Sequence, residues 1–183
     1  LNLSLRGATL TSKFALIFFL AIFLEPSDLG LYGLLTATIS YSIYVIGFDF
    51  YTYSTRELLG QPRELWSSML RDQGVYFVLA YLLVLPLLVV IFLQGWLPWR
   101  LAGWFFALLV IEHLAQELNR LLVAMSEQLL ASVVLFLRSG LWGLVQLPLM
   151  RAVPESRQLG TVLTAWLAAS SLVVLLGVAR LLR

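Results

Sequence analysis

Six stretches of about twenty mostly apolar residues dominate this chain, near 5–24, 31–51, 74–93, 101–122, 129–150 and 159–179. Each is long enough to cross a hydrocarbon core of about 30 Å as an α-helix. A backbone in that core has no water to bond, so only helices and closed barrels can span it. The runs are continuous and lack period-two alternation, which argues against a barrel. The expected fold is an all-α membrane protein, one bundle of six transmembrane helices over residues 1–183. Composition agrees. The chain is 61% hydrophobic and 12% charged, where soluble domains average roughly 45–50% and 25%.

The breaks between runs carry turn chemistry. "EPSDLG" (25–30), "QGWLPWR" (94–100) and "RAVPESRQLG" (151–160) each combine Pro with Gly, Ser or Asp. Pro86 falls inside the third run, where a helix should kink. Trp96, Trp99 and Trp104 suit an interfacial aromatic belt. No small-x-small cleavage site follows the apolar residues after Lys13, so the first run is expected to be a retained helix. Between the second and third runs, the segment 55–72 pairs its apolar residues and sets charges between them. It reads as an amphipathic cytoplasmic linker or, equally, as a helical extension of the third span.

The basic residues set the expected orientation. One face would carry Arg6, Arg56, Arg63, Arg71, Arg120, Arg180 and Arg183, the other Arg100, Arg151 and Arg157. The larger group belongs in the cytoplasm, with both termini. The formal net charge of +2 and the absence of basic blocks interleaved with aromatics give no sign of nucleic-acid binding. There is no cysteine, so disulfides and thiolate chemistry are excluded, and a single histidine, His113, cannot build a His-rich metal site. No HExxH, G-x-S-x-G or Asp-rich motif is present. The chain is therefore read as a non-enzyme that needs no cofactor.

Charges inside a membrane are costly and ask for a partner or an aqueous cavity. At about 1.5 Å of rise per residue, Lys13 and Glu112 lie about 17 Å below the outer ends of helices one and four, and Arg138 about 18 Å below that of helix five. Three charges on three helices thus share one level, and Glu112 is expected to pair with Lys13 or Arg138. Helix four is the most polar. Glu112, His113, Gln116, Glu117, Asn119 and Arg120 fall within an arc of roughly 160°, a face expected to look into a bundle interior or a wet cleft. Glu127 would continue it. Helix two shows a polar series through Thr38, Ser42, Asp49, Thr52 and Arg56 at three-and-four spacing. Arg6 comes out level with Asp49, so an Arg6–Asp49 pair is expected at the cytoplasmic mouth. Helix six, whose polar side chains are Thr and Ser beside the Trp166 ring, reads as packing.

Two quoted segments carry a resemblance. "RGATLTSKFALIFFLAIFLEPSDLGLYGLLTATISYSIYVIGFDFYTYSTREL" (6–58) resembles the opening two helices of the polysaccharide and O-antigen flippases, within the multidrug/oligosaccharidyl-lipid/polysaccharide exporter superfamily. "ELNRLLVAMSEQLLASVVLFLRSGLW" (117–142) resembles the junction of helices four and five in that family. The likeness spans essentially the whole chain. It implies one six-helix lobe of a two-lobe transporter in a bacterial inner membrane, with a second lobe or second copy as partner. The implied cargo is a polyprenyl-diphosphate-linked oligosaccharide, flipped by alternating access while its tail stays in lipid. By the same resemblance Lys13, Arg56 and Arg138 would be the cavity cations that meet the diphosphate. Asp49 would hold Arg6 or Arg56, and Glu112 or Glu117 could couple transport to a proton or sodium ion. Two alternatives stand beside this: a non-transporting membrane scaffold or assembly subunit, and an enzyme acting on a polyprenyl-linked lipid.

Overall fold

The structure, a computed structural model, describes residues 2–48 and 50–181, apart from the side chains of residues 2–3, 50–51, 55, 58–59, 63 and 181. Asp49, and with it the expected Arg6–Asp49 pair, lies outside the described residues. Among these residues every regular element is helical: α1 Asn2–Phe23, α2 Pro26–Gly47, α3 Phe50–Gly60, α4 Trp66–Leu93, α5 Ala102–Ala124, α6 Gln128–Phe136, α7 Trp142–Ala152 and α8 Leu159–Leu181. A π-turn, Leu137–Leu141, joins α6 to α7 into one helical path. Six paths are long and apolar enough to cross a membrane: Ser4–Phe23, Pro26–Gly47, Trp66–Leu93, Trp99–Ala124, Gln128–Ala152 and Leu159–Arg180. The six expected spans are present, with the length and composition that a multi-pass helical membrane protein requires.

Three boundaries differ from the sequence reading. The second helix starts at Pro26, inside the "EPSDLG" turn, with Asp28 in its first turn. Proline at the first helical position sacrifices an N–H that has no partner there anyway, and an acidic residue suits the positive end of the helix dipole. The same helix stops at Gly47, because Phe48 takes a left-handed φ of 41°. The polar series from Thr38 to Arg56 is therefore not one face; Thr52 and Arg56 belong to the separate helix α3. The third span reaches back to Trp66, so the 55–72 segment divides into the end of α3, a 3₁₀ turn at Arg63–Leu65 and the first turns of α4. The Trp66 indole Nε1 donates to the Gln61 carbonyl at 3.2 Å across that junction.

The chain forms two compact units, residues 35–109 and residues 1–34 with 110–183. In the first of these, α2 buries Leu35, Ile39, Ile43 and Ile46 at helical spacing. The Tyr76 hydroxyl donates to the Ile46 carbonyl at 3.5 Å. Phe92 packs on Trp99 and Phe105, with ring centroids 5.4 and 5.5 Å apart. Gly95 ends α4 with φ 72°, and Trp96 N–H reaches the Ile91 carbonyl at 3.1 Å. That is a left-handed C-cap, which glycine adopts without a Cβ penalty.

In the other unit α1 packs along α6, the π-turn and α7, while α8 packs on α7 and the π-turn. Lipid tails are as apolar as leucine side chains, so helices in a membrane associate through close packing at small residues and through polar contacts. Gly140 and Gly143 supply the first. A Cβ on Gly140 would sit 2.9 Å from the Phe136 ring and 3.5 Å from Ser12 Cβ, and one on Gly143 would sit 3.4 Å from Leu16 Cβ. Ala115, Leu122, Ala131, Val134 and Val173 form a buried apolar cluster between α5, α6 and α8.

Among the described glycines the tightest approach is between α5 and α8, where Leu118 fills the place of a Gly177 side chain. A Cβ there would lie 1.8 Å from Leu118 Cδ2 and 2.6 Å from Cγ. Gly177→Ala is expected to lose up to about 2 kcal/mol, since overpacking costs about 1–3 kcal/mol and the better helix propensity of alanine returns about 1. Thermal unfolding of the detergent-solubilised protein checks this. In a Leu118→Ala background the same change should be neutral or stabilising.

Candidate functional site

The packing of α1 on the fifth span places the intramembrane charges. Ser12 meets Gly140, which puts its neighbour Lys13 on the stretch of α1 that faces the segment holding Arg138, two residues before that glycine. The buried hydroxyls nearby are satisfied within their own helix: Thr9 donates to the Leu5 carbonyl and Ser12 to the Ala8 carbonyl, both at 2.8 Å. They carry no chemistry of their own. Lys13 lies within electrostatic range of both Arg138 and Glu112. The three charges placed at one depth by counting residues therefore form one cluster.

Glu112, on α5, is its centre and is only 7% exposed. Its Oε1 accepts from Trp166 Nε1 at 2.7 Å and from the Ser170 hydroxyl, both on α8. Its Oε2 faces Arg138 Nε at 3.3 Å. That nitrogen is fully buried, and the contact is an ion pair without the alignment of a hydrogen bond. Trp166 is held in turn: its ring stacks on Trp142 with centroids 6.4 Å apart and planes 6° apart, and Tyr32 meets it edge-on at 6.2 Å. Trp142 lies one turn beyond Arg138, so α8 is tied to the fifth span directly by the ring stack and, through Glu112 of α5, by the ion pair.

The π-turn sits at the cation itself, since Leu137–Leu141 contains Arg138. A wide turn of this kind interrupts the regular α-helical bonding and is frequent at functional sites. Residue counting gave a continuous helix here. Trp166 and Ser170 were also missed, because a serine and a tryptophan on an apolar helix read as packing until the helix facing them is known. One signal was available: Trp166 lies about 10 Å along α8 from Leu159, deeper than an interfacial belt, and a buried indole N–H needs an acceptor.

The remaining polar face of α5 is a second, separate group. His113 is 1% exposed, and its Nε2 lies 4.0 Å from Glu117 Oε1. Glu117 also accepts from Arg120 Nη1. Asn119 Nδ2 donates to the Ala131 carbonyl at 2.7 Å, which occupies it in joining α5 to α6. Gln116 is half-buried on the same helix. Glu127 does not continue this face. Ser126 takes a left-handed φ of 62° and ends α5, and Glu127 pairs with Arg180 of α8 at 2.6 Å. That pair is largely open to solvent on the arginine side, where such contacts contribute less than about 1 kcal/mol.

Arg56 is exposed on α3 in the other unit, whereas Lys13 and Arg138 share one. Among the described residues no three His, Asp or Glu side chains converge as a metal site requires. What the Lys13–Glu112–Arg138 cluster can do chemically follows from its charge. It holds two cations and one carboxylate, and that carboxylate already accepts from two donors and pairs with one of the cations. Among the described residues no hydrogen bond or ion pair engages the Lys13 ammonium. The cluster has an excess positive charge and donors to spare, the requirement for holding an anion. No family model, curated protein or solved structure matches the chain.

Proposed function

We propose that this protein acts as a transporter lobe that flips a polyprenyl-diphosphate-linked oligosaccharide across a bacterial inner membrane by alternating access. The observation that carries the reading is the excess positive charge of the cluster: Lys13 lies within electrostatic range of Arg138 and Glu112, and that carboxylate is already committed to Trp166, Ser170 and Arg138. A positive charge at this depth costs several kcal/mol in an apolar slab, a cost a purely structural pair would not leave standing. A lipid diphosphate in transit would supply the missing negative charge through charge-assisted hydrogen bonds to ammonium and guanidinium. The resemblance to oligosaccharide flippases supplies the cargo class. Glu112 is a poor choice for the coupling ion, because its carboxylate is already filled with donors; the Glu117–His113 pair is the better one.

The scaffold reading draws on one specific observation, the way Glu112 ties three spans together. The two readings part on exchange of the ion pair. A scaffold with Glu112→Arg and Arg138→Glu should keep its biological activity, whereas a transporter that folds with the pair reversed should lose it. The direct test is reconstitution of the native-length protein in proteoliposomes with a fluorescent polyprenyl-diphosphate sugar. Movement of the lipid between leaflets, followed with an impermeant quencher, should exceed that in protein-free vesicles at least tenfold; equal rates would overturn the proposal.

A further inference from the structure

We infer that Trp166 and Ser170 of α8 are positioning residues for the Arg138 cation, acting through the Glu112 carboxylate. The inference rests on the reading of Lys13 and Arg138 as the site of an anionic lipid headgroup. It starts from the division of labour between the two carboxylate oxygens. Oε1 takes both donors from α8, the indole N–H at 2.7 Å and the Ser170 hydroxyl. Oε2 pairs with the guanidinium as an ion pair, 3.3 Å from Nε and without hydrogen-bond alignment. The two α8 donors sit one helical turn apart, at positions i and i+4, and both converge on a single oxygen. Rotating the carboxylate about its last bond would break both bonds at once. Oε2 is therefore fixed in direction, and its charge holds the guanidinium on this side through the ion pair.

The donors are themselves fixed. Ser170 is fully buried, and Trp166 is 8% exposed. The indole lies stacked on Trp142 with its planes 6° apart and is braced by Tyr32, so its N–H has one direction open to it. A guanidinium has five N–H groups in a rigid fork. With Nε turned to Glu112, the two terminal nitrogens form the outward edge, the edge that binds a phosphate bidentately. Among the described residues Glu112 is the ion-pair partner of Arg138, so this edge carries no protein bond. An arginine whose fork is held in place before the ligand arrives loses less rotamer entropy on binding, and that difference appears as affinity. The helix that reads as packing thus decides where the cation points.

The test is a double-mutant cycle on the native-length protein in lipid nanodiscs, with farnesyl diphosphate as the probe and equilibrium binding as the readout. Trp166→Phe keeps the ring stack and removes the N–H; Ser170→Ala removes the hydroxyl, and Ser170→Thr restores one. Each deletion should weaken binding about tenfold when Arg138 is present. In an Arg138→Ala background the same deletions should change affinity less than twofold, and Ser170→Thr should bind like the parent. Equal losses in both backgrounds, or no loss in either, would overturn the positioning role while leaving the diphosphate reading intact. If Arg138→Ala bound the probe as well as the parent does, the diphosphate site itself would be wrong, and the inference with it. Should Trp166→Phe not fold, the Ser170→Ala and Ser170→Thr pair completes the same cycle.

Discussion

Glu112→Ala is expected to lower stability by about 3–5 kcal/mol, the range for breaking a buried ion pair by removing one partner. The reason is the number of groups it strands. Trp166 Nε1 and the Ser170 hydroxyl would lose their acceptor in a dry interior, and Arg138 would lose its counter-charge. A buried donor left unmade costs about 1–3 kcal/mol, more when it is charged. Arg138→Ala should cost less, about 1–3 kcal/mol, because Glu112 keeps both α8 donors and its charge stays hydrogen-bonded. Glu112→Gln should fall between the two: its oxygen can still accept from α8, but its amide N–H₂ would then face the guanidinium. Thermal unfolding of the three variants in one detergent sets the order. If Arg138→Ala proved as damaging as Glu112→Ala, the carboxylate would not be the hub.

The second large effect is expected at Lys13, in transport and not in stability. Lys13→Ala should cut lipid translocation at least tenfold, the loss of a contact to a charged group worth about 1.5–3 kcal/mol. Its melting temperature should stay level or rise. Among the described residues no hydrogen bond or ion pair of the ammonium is lost, and the repulsion from Arg138 that is removed outweighs the attraction to Glu112. That combination separates a cargo contact from a structural one. A structural lysine would lower stability on removal, and a scaffold would keep its activity. Full translocation by Lys13→Ala would remove the cation excess from the mechanism.

Much of this was legible in the sequence, and the parts that were not share a cause. Span number followed from hydrocarbon thickness, which sets a length that composition alone can meet. The meeting of Lys13, Glu112 and Arg138 followed from residue counting, because a helix converts position into depth at a fixed rise. Depth does not supply azimuth. Which helix faces Glu112 depends on the rotation and order of six cylinders, so Arg138 could not be preferred over Lys13, and the donors on α8 were invisible. Local backbone departures were hidden for a different reason. Pro26 was read as a breaker, though its fixed φ suits a helix start as well as a turn. Phe48 adopts a conformation that its side chain disfavours, so no residue preference marks the end of α2. The π-turn likewise leaves no compositional trace. "LRSGL" would pass for α-helix in any hydropathy profile.

That turn has a consequence for how the fifth span tolerates change in length. Deleting one residue from an α-helix turns everything beyond it by about 100°, which in a packed membrane helix moves the buried face out to lipid. At Leu137–Leu141 the chain already carries one residue more than an α-helical turn would hold, since its bonds run from i to i+5. Loss of Leu137 or Ser139 would let this stretch close into regular α-helix, and Trp142, Gly143, Gln146 and Met150 would keep their inward orientation. The span therefore holds a point of slack at the cation it presents, where a length change can be absorbed without resetting the rest of the helix.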